Sequence, residues 1–292
     1  MKNIKIITGA TATGKTQRAI EIAKNCNGEI INCDCLQCYN DLKILTAYPN
    51  ENELSEINHR LLGYLNYNEQ TSAVSWAHLA SNAIKDIMSS GKTPIIVGGT
   101  GLYIKTLCGG ISPIPDISEK NRQHAVELAS KNFEKMHNEL YTLDPELQTI
   151  LPSSKHHQII RAYEIFLETG KSIRYFWEQP KIKFIENVKF EYEIMKCDRS
   201  ELYNRIEKRF DQMLKNGAIE EVRELLKKIQ EFDKQKIFQQ YPIFKAIGAK
   251  EITLFLDGIY SFSQMREIAI KNSRHYAKRQ ITWFNHQIMT IG

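Results

Sequence analysis

No run of apolar residues in this sequence approaches the ~20 needed to cross a membrane as a helix. Met1-Lys2 lead into an apolar stretch that stops at Gly9. That stretch is too short for a secretory h-region, and no small-residue cleavage site follows it, so a cytoplasmic chain with no membrane attachment is expected. Cysteine is sparse, with six residues at 26, 33, 35, 38, 108 and 197. Cys33, Cys35 and Cys38 form C-x-C-x2-C, but no further Cys/His pair stands at a familiar ligand spacing, so free thiols are expected rather than a metal centre. There is no internal repeat and no low-complexity tract, which excludes repeat architectures; Lys227–Gln240 is merely rich in Lys and Gln and is expected to be exposed. Charge of one sign is in small excess: 39 Lys and Arg face 34 Asp and Glu, a formal net charge of +5.

The surplus is concentrated. Arg266, Lys271, Arg274, His275, Lys278 and Arg279 are opposed within their segment by Glu267 alone. One dense basic segment on a mildly charged chain fits a nucleic-acid backbone as partner, and it fits a solvated helix face equally well. The length of 292 residues suits one large domain or two modest ones.

Short apolar runs alternate with amphipathic stretches. Ile4–Ile7 reads as a buried strand, Thr16–Asn25 as a helix and Glu29–Asn32 as a second strand. Trp76, Leu79, Ala80, Ala83, Ile84, Ile87 and Met88 keep a helical rhythm that Gly91 ends. Pro94–Val97 reads as a third strand, closed by Gly98-Gly99. This alternation predicts a parallel, doubly wound α/β sheet. From Ile111 the texture changes: Pro113 and Pro115 break the chain, and polar helical sequence runs to about Pro180. Phe190–Cys197 then reads as a strand and Arg199–Asn216 as a helix. The expected fold is α/β, a P-loop-type parallel-sheet core over residues 1–115 and 185–292 with a helical insertion domain at 116–184.

Gly9-Ala10-Thr11-Ala12-Thr13-Gly14-Lys15-Thr16 matches G-x-x-x-x-G-K-[ST], with a strand before it and a helix after it. Its glycines let backbone N–H groups curl round phosphate oxygens, Lys15 supplies charge, and the Thr16 hydroxyl can bind Mg²⁺. ATP- and other nucleotide-binding proteins share this loop, so its neighbours must identify the chemistry. If the strands are parallel, Asp34 and Thr100 follow the second and third on the same sheet edge as the loop. Asp34 there suits a Mg²⁺ ligand, a general base, or a helix cap or turn. Gly98-Gly99-Thr100 stands where an ATPase more often has an acidic residue, and suits either close backbone approach to a ligand or a plain turn. Arg205 and Arg209 flank the apolar stripe of Leu202, Ile206, Phe210 and Met213, and suit a phosphate site or surface pairing with Glu201 or Glu207.

Taken together, the motifs resemble those of the bacterial tRNA dimethylallyltransferases, also called tRNA isopentenyltransferases, from Ile4 to about Trp283. The phosphate loop is similar to the family's GPTASGKT, with Ala10 for proline. Asp34-Cys35-Leu36-Gln37-Cys38-Tyr39 resembles D-S-x-Q-x-Y, and Val97–Tyr103 resembles VGGTxLY. Arg161-Ala162-Tyr163-Glu164 with Thr169-Gly170 resembles RALE…TG, and Leu202–Arg209 resembles LYxRIxxR. Ala246-Ile247-Gly248 with Lys250-Glu251 resembles AIGYKE, and Tyr276–Trp283 resembles YAKRQxTW. Departures stand at Lys43–Pro49, where the family has D-I-G-T-A-K-P, at Gln158, where it usually has an arginine that touches tRNA, and at Ala249, where it has tyrosine.

The resemblance implies transfer of a dimethylallyl group from dimethylallyl diphosphate to N6 of the adenine 3′-adjacent to the anticodon in tRNA. It implies Asp34 as base, with Thr100, Lys15 and Arg205 completing the catalytic set. The diphosphate would rest on Gly9–Thr16, Arg205 and Arg209, with Mg²⁺ on Thr16. The anticodon stem-loop would meet Asp34, Cys35, Leu36, Gln37, Thr100, Arg122, His157, Gln158, Ile159, Ile160, Arg161, Lys245, Gly248, Lys250, Lys278 and Arg279, on a chain expected to be a monomer. A nucleotide-kinase-type small-molecule phosphotransferase and a non-catalytic RNA-binding protein are the other readings, and the YAKRQxTW segment argues against both.

Overall fold

Ile4, Ile6 and Ile7 are fully buried, as expected of a strand covered on both faces of a parallel sheet; each such side chain contributes ~1.5–3 kcal/mol through burial. They lie in a computed structural model that describes residues 2–229 and 233–287. Met1, residues 230–232 within the Lys/Gln-rich stretch, and residues 288–292 lie outside the described residues.

The chain runs β1 (Lys2–Gly9), α1 (Lys15–Asn25), β2 (Gly28–Asn32), α2 (Glu51–Glu56), β3 (His59–Arg60), α3 (Ala73–Ser89), β4 (Thr93–Gly98) and α4 (Gly101–Gly109). It continues through α5 (Glu119–Leu143), α6 (Leu147–Ile150), α7 (His156–Thr169) and α8 (Ile173–Trp177). It then returns to β5 (Val188–Met195), α9 (Arg199–Lys215), α10 (Ala218–Ile229), α11 (Lys234–Gln240), a 3-10 turn at Pro242–Lys245, α12 (Ala249–Leu256) and α13 (Phe262–Gln287).

The strands form one five-stranded sheet in the order β3-β2-β4-β1-β5, every neighbouring pair parallel. The fold is a P-loop-type α/β sheet. Register brings the strand ends level, with Thr8 opposite Gly98 and Asn32 opposite Val97. β5 begins and ends two residues earlier than the expected Phe190–Cys197, because it pairs with β1 from Lys2↔Val188 to Gly9↔Met195 and stops where β1 stops. β3 was invisible to periodicity: two residues make no pattern, and it exists through pairing of Ile30 with His59.

Two compact units result, one of residues 1–109 and 184–292 and one of Gly110–Lys183. The second begins before the Pro113–Pro115 break, because Ile111 and Ile182 exchange an antiparallel pair of backbone bonds at 3.0 and 2.8 Å. Its core joins Met136 and Leu140 of α5 to Ile159, Ala162 and Ile165 of α7. In the first unit Trp76 of α3 is fully buried, donates its indole N–H to the Asn32 carbonyl at 3.0 Å and stacks on Tyr103 with ring centroids 4.8 Å apart. Among the described residues no helix is long and apolar enough to cross a membrane.

Candidate active site

Three strand ends meet at one sheet edge. After β1 the phosphate loop folds on itself: Thr13 Oγ1 and Lys15 Nζ both donate to the Ala10 carbonyl, at 2.8 and 2.7 Å. Burial brings the Lys15 pKa down to about 8, against the upward pull of Asp34 and with Arg209 adding to the fall. Keeping this ammonium charged is costly, so an arriving anion is strongly favoured.

After β2, the Asn32 amide grips the Asp34 peptide from both sides, donating to its carbonyl and accepting from its N–H, each at 3.0 Å. Asp34 Oδ1 accepts from the Leu36 amide at 3.0 Å. One carboxylate oxygen therefore closes an Asx turn, and the residue still lines two cavities at this edge. After β4, Thr100 donates its N–H to the Cys33 carbonyl at 3.1 Å and accepts on Oγ1 from the Cys35 amide at 3.0 Å. It is thereby tied to the turn that carries Asp34.

Gly98 and Gly99 make room for other parts of the protein. A Cβ at Gly98 would stand 2.0 Å from the Cys33 carbonyl oxygen, and one at Gly99 would stand 2.3 Å from Gln280 Nε2. Sequence reading missed Gln280. Buried on α13, it accepts from the Thr11 N–H at 2.8 Å and donates to the Gly99 carbonyl at 3.0 Å, so it links the phosphate loop to the Thr100 turn. It lies inside the YAKRQxTW segment, but only its partners reveal the role.

The two arginines of α9 part company. Arg209 reaches across to donate to Thr11 Oγ1 at 2.5 Å. Arg205 lines the same cavity but is paired with Glu201 on its own helix at 2.5 Å. The surface pairing is thus present for Arg205, whereas Arg209 holds the loop.

Two cavities open along this edge. One, of about 560 Å³, is lined by Lys15, Thr16, Asp34, Gln37, Arg205 and Arg209 among others. The second, of about 690 Å³, is walled by Leu45, Tyr103, Ile206, Phe210, Met213 and Tyr276. They share Thr11, Asp34, Thr46 and Arg209. Ala12 and Gly14 line the first, whereas Gly9, Ala10 and Thr13 border a separate pocket of about 280 Å³.

The remaining sequence-predicted positions are mixed. Cys35, Leu36, Lys245 and Arg279 line the apolar cavity, and the last two are exposed. Lys250 and Lys278 are exposed. Gly248 is buried at φ 101, donates its N–H to Glu251 at 2.9 Å, and would bring a Cβ 2.9 Å from Leu45; its job is conformational. In the helical unit Arg122, His157 and Gln158 are exposed, and Arg161 pairs with Glu164 at 2.7 Å. Ile160 packs partly buried against the unit's core. Ile159 is a correction: it is fully buried in that core, so its side chain supports α7 and cannot touch RNA.

The basic segment also divides. Arg266 binds Asp211 and Glu207 at 2.6 and 2.8 Å, and Arg274 binds Glu207 at 3.0 Å, which fastens α13 to α9. Lys271, His275, Lys278 and Arg279 are exposed. All six cysteines are free. Burial raises Cys35 to about 11 and Cys38 to about 12, so both thiols are neutral near pH 7.

The sequence profile of the IPP transferase family matches residues 37–287. The chain belongs to this family. It is 40% identical over 289 residues to a tRNA dimethylallyltransferase of Rickettsia felis, covering 98% of this chain and 91% of the relative. It is 41% identical to the enzyme of that name from Zymomonas mobilis, covering 97% and 88%. Among solved structures it is similar to a eukaryotic dimethylallyltransferase acting on tRNA, with a TM-score of 0.86 and 28% identity over 100% of this chain and 72% of the other. It is also similar to a tRNA isopentenylpyrophosphate transferase of Bacillus halodurans, with a TM-score of 0.67 and 30% identity over 99% and 88%. The IPP transferase profile thus takes in the turn after Asp34, the end of β4, and Arg205, Arg209 and Gln280.

Proposed function

We infer that this chain is a tRNA prenyltransferase, which transfers a dimethylallyl group from dimethylallyl diphosphate to N6 of the adenine 3′-adjacent to the anticodon and releases diphosphate. The carrying observation is the position of Asp34, which lines both a cation-rich cavity and an apolar one. In this reading the diphosphate occupies the first cavity. Lys15 exchanges the Ala10 carbonyl for phosphate oxygens, Arg209 lies alongside, and Arg205 leaves Glu201 to join them. As the allylic C–O bond breaks, the electron pair departs with the diphosphate, and these cations stabilise the charge. The adenine N6 lone pair forms the new C–N bond from the apolar side. Its proton passes to Asp34, whose Oδ2 is not engaged by the Leu36 amide. Thr100, with its hydroxyl oxygen already accepting from Cys35, keeps its own proton for orienting the reacting groups.

Mg²⁺ fits this site as a passenger of the diphosphate. Among the described residues no cluster of three His, Cys, Asp or Glu could cage a metal, but Mg²⁺ needs few protein ligands when phosphates and waters supply the rest. Thr16, which lines the same cavity as Asp34, would hold it, and bound there it would add charge neutralisation on the leaving group. The anticodon stem-loop would meet Cys35, Leu36, Gln37, Lys245, Lys250, Lys278 and Arg279, and in the helical unit Arg122, His157, Gln158, Ile160 and Arg161. The chain would act in the cytoplasm as a monomer.

Incubation with dimethylallyl diphosphate, Mg²⁺ and an anticodon stem-loop, followed by nucleoside mass spectrometry, tests the reading. Prenylated adenosine without ATP is the expected result. Phosphoryl transfer from ATP with no prenylated nucleoside would overturn it in favour of a kinase.

A further inference from the structure

Residues Leu42–Tyr48 form a single helical turn that belongs to no longer helix. Thr46 N–H bonds the Leu42 carbonyl at 2.9 Å, and Tyr48 N–H bonds the Lys43 carbonyl at 2.9 Å. Leu42 and Ala47 sit at φ 55 and 51, left-handed backbone that is unfavourable for residues with a side chain. An isolated turn in water is marginal, because nucleation costs more than its few bonds return. Something outside the turn must hold it.

Both ends are held by side chains from elsewhere. At the amino end Glu221 of α10 accepts from the Ile44 and Leu45 amides, at 2.8 and 3.1 Å, one on each carboxylate oxygen. At the carboxyl end Gln37 Nε2 donates to the Thr46 and Ala47 carbonyls, at 3.1 and 2.8 Å. The first capping group comes from 177 residues away in sequence. α10 grips the same loop again through Lys228, whose Nζ lies 2.7 Å from Asp41 Oδ1. Glu221 has no cation partner in these bonds; it is spent on backbone N–H groups, the strong charge-assisted kind.

The turn has a job at the site. Ala47 and Tyr48 line the cation-rich cavity, Leu45 lines the apolar one, and Thr46 lines both. We propose that Glu221 is a positioning residue for the prenyl donor: through the Leu42–Tyr48 turn it sets the wall that fits the allylic diphosphate and excludes longer chains. Asp34, Lys15 and Thr100 are held by other bonds at the ends of β1, β2 and β4, so loss of Glu221 loosens the wall without moving the reacting groups. The inference rests on the prenyltransferase reading.

The test measures steady-state kinetics on an anticodon stem-loop with dimethylallyl diphosphate and with geranyl diphosphate. Glu221→Ala is expected to raise KM for dimethylallyl diphosphate about 10-fold with kcat within about 3-fold, the signature of lost ground-state binding. It should also cut the preference for the C5 donor over the C10 donor about 10-fold. Glu221→Gln keeps one acceptor oxygen, should remain folded, and is expected to fall between wild type and alanine. Exposed Glu224→Ala on the same helix is the surface control and should match wild type. Lowered melting temperature with unchanged KM and unchanged donor preference in both variants would overturn the proposal, leaving Glu221 as a brace for the fold. Wild-type protein inactive with either donor would instead overturn the reading on which it rests.

Discussion

The two cavities share Thr11, Asp34, Thr46 and Arg209 but differ in how their remaining walls are made. The cation-rich cavity has one contiguous piece of wall, Ala12 and Gly14 to Gln17 of the phosphate loop and α1, where neighbouring residues supply amides, an ammonium and a hydroxyl together; Gln37, Ala47, Tyr48, Arg205 and Gln280 complete it from elsewhere. The apolar cavity is assembled from distant pieces: Leu45 from a lone turn, Tyr103 from α4, Phe210 and Met213 from α9, Tyr276 from α13. A local motif can make an anion site because backbone N–H groups and one lysine suffice. A dry wall needs side chains from several elements, since no single segment can surround a ligand and exclude water. The difference predicts that damage on one side should leave binding on the other nearly intact.

The hardest test is at the shared residue. Asp34→Asn keeps the shape and the Asx turn but loses the base. It is expected to bind both substrates nearly normally while losing roughly 10²–10⁴ in single-turnover prenylation. Near-normal turnover would reduce Asp34 to a turn residue. On the polar side alone, Lys15→Ala should lower kcat/KM by at least ~100-fold, about 2.7 kcal/mol of leaving-group stabilisation. Its affinity for tRNA, read by filter binding, should stay unchanged. Parallel loss of tRNA affinity would break the separation of the two cavities.

On the RNA side, charge reversal at exposed Lys278 and Arg279 should weaken tRNA binding and lower the slope of log K against log salt by about 1–2. Dimethylallyl diphosphate binding should not change. An unaltered slope would assign these residues to the solvated face of α13. Arg266 and Arg274 are the contrast, because their ion pairs tie α13 to α9 and their loss should appear in stability.

The smallest effect concerns protons. Lys15 has a pKa near 8, brought down by burial from 10.5. Above that pH the free protein holds it neutral, and the diphosphate needs it charged. Binding should therefore weaken as pH rises through 8, and at about pH 9 it should take up a substantial fraction of one proton, approaching ~1. Calorimetry in two buffers of different ionisation enthalpy measures this. The linkage to folding has the same origin: unfolded lysine binds the proton more tightly, so this residue's contribution to stability rises with pH between about 8 and 10.5 and is level outside that window. Absence of proton uptake at pH 9 would place Lys15 outside the diphosphate site.

Much of the architecture was legible beforehand. The buried runs of β1, β2 and β4, the stripe of α3 and the loop at Gly9–Thr16 are periodic or contiguous signals. The last-residue positions of β5 and the two-residue β3 were not, since pairing partners fix them. Asp34 and Thr100 could be placed on one edge by topology, but the bonds that orient them, from Asn32, Leu36 and Cys35, could not be read. Ile159 was carried as a contact through a motif, whereas the packing of α5 on α7 buries it.

What the sequence by itself determined is everything whose cause lies within a few residues: strand and helix periods, the anion-binding loop, and the motifs that mark the IPP transferase family. What only the tertiary structure decided is which distant groups meet. Gln280 bridges Thr11 and Gly99, Arg209 rather than Arg205 reaches the loop, and Glu221 caps a turn 177 residues away. The physical reason is that hydrogen bonds and close contacts act over about 3 Å in space; only folding brings residues far apart in the chain within that range.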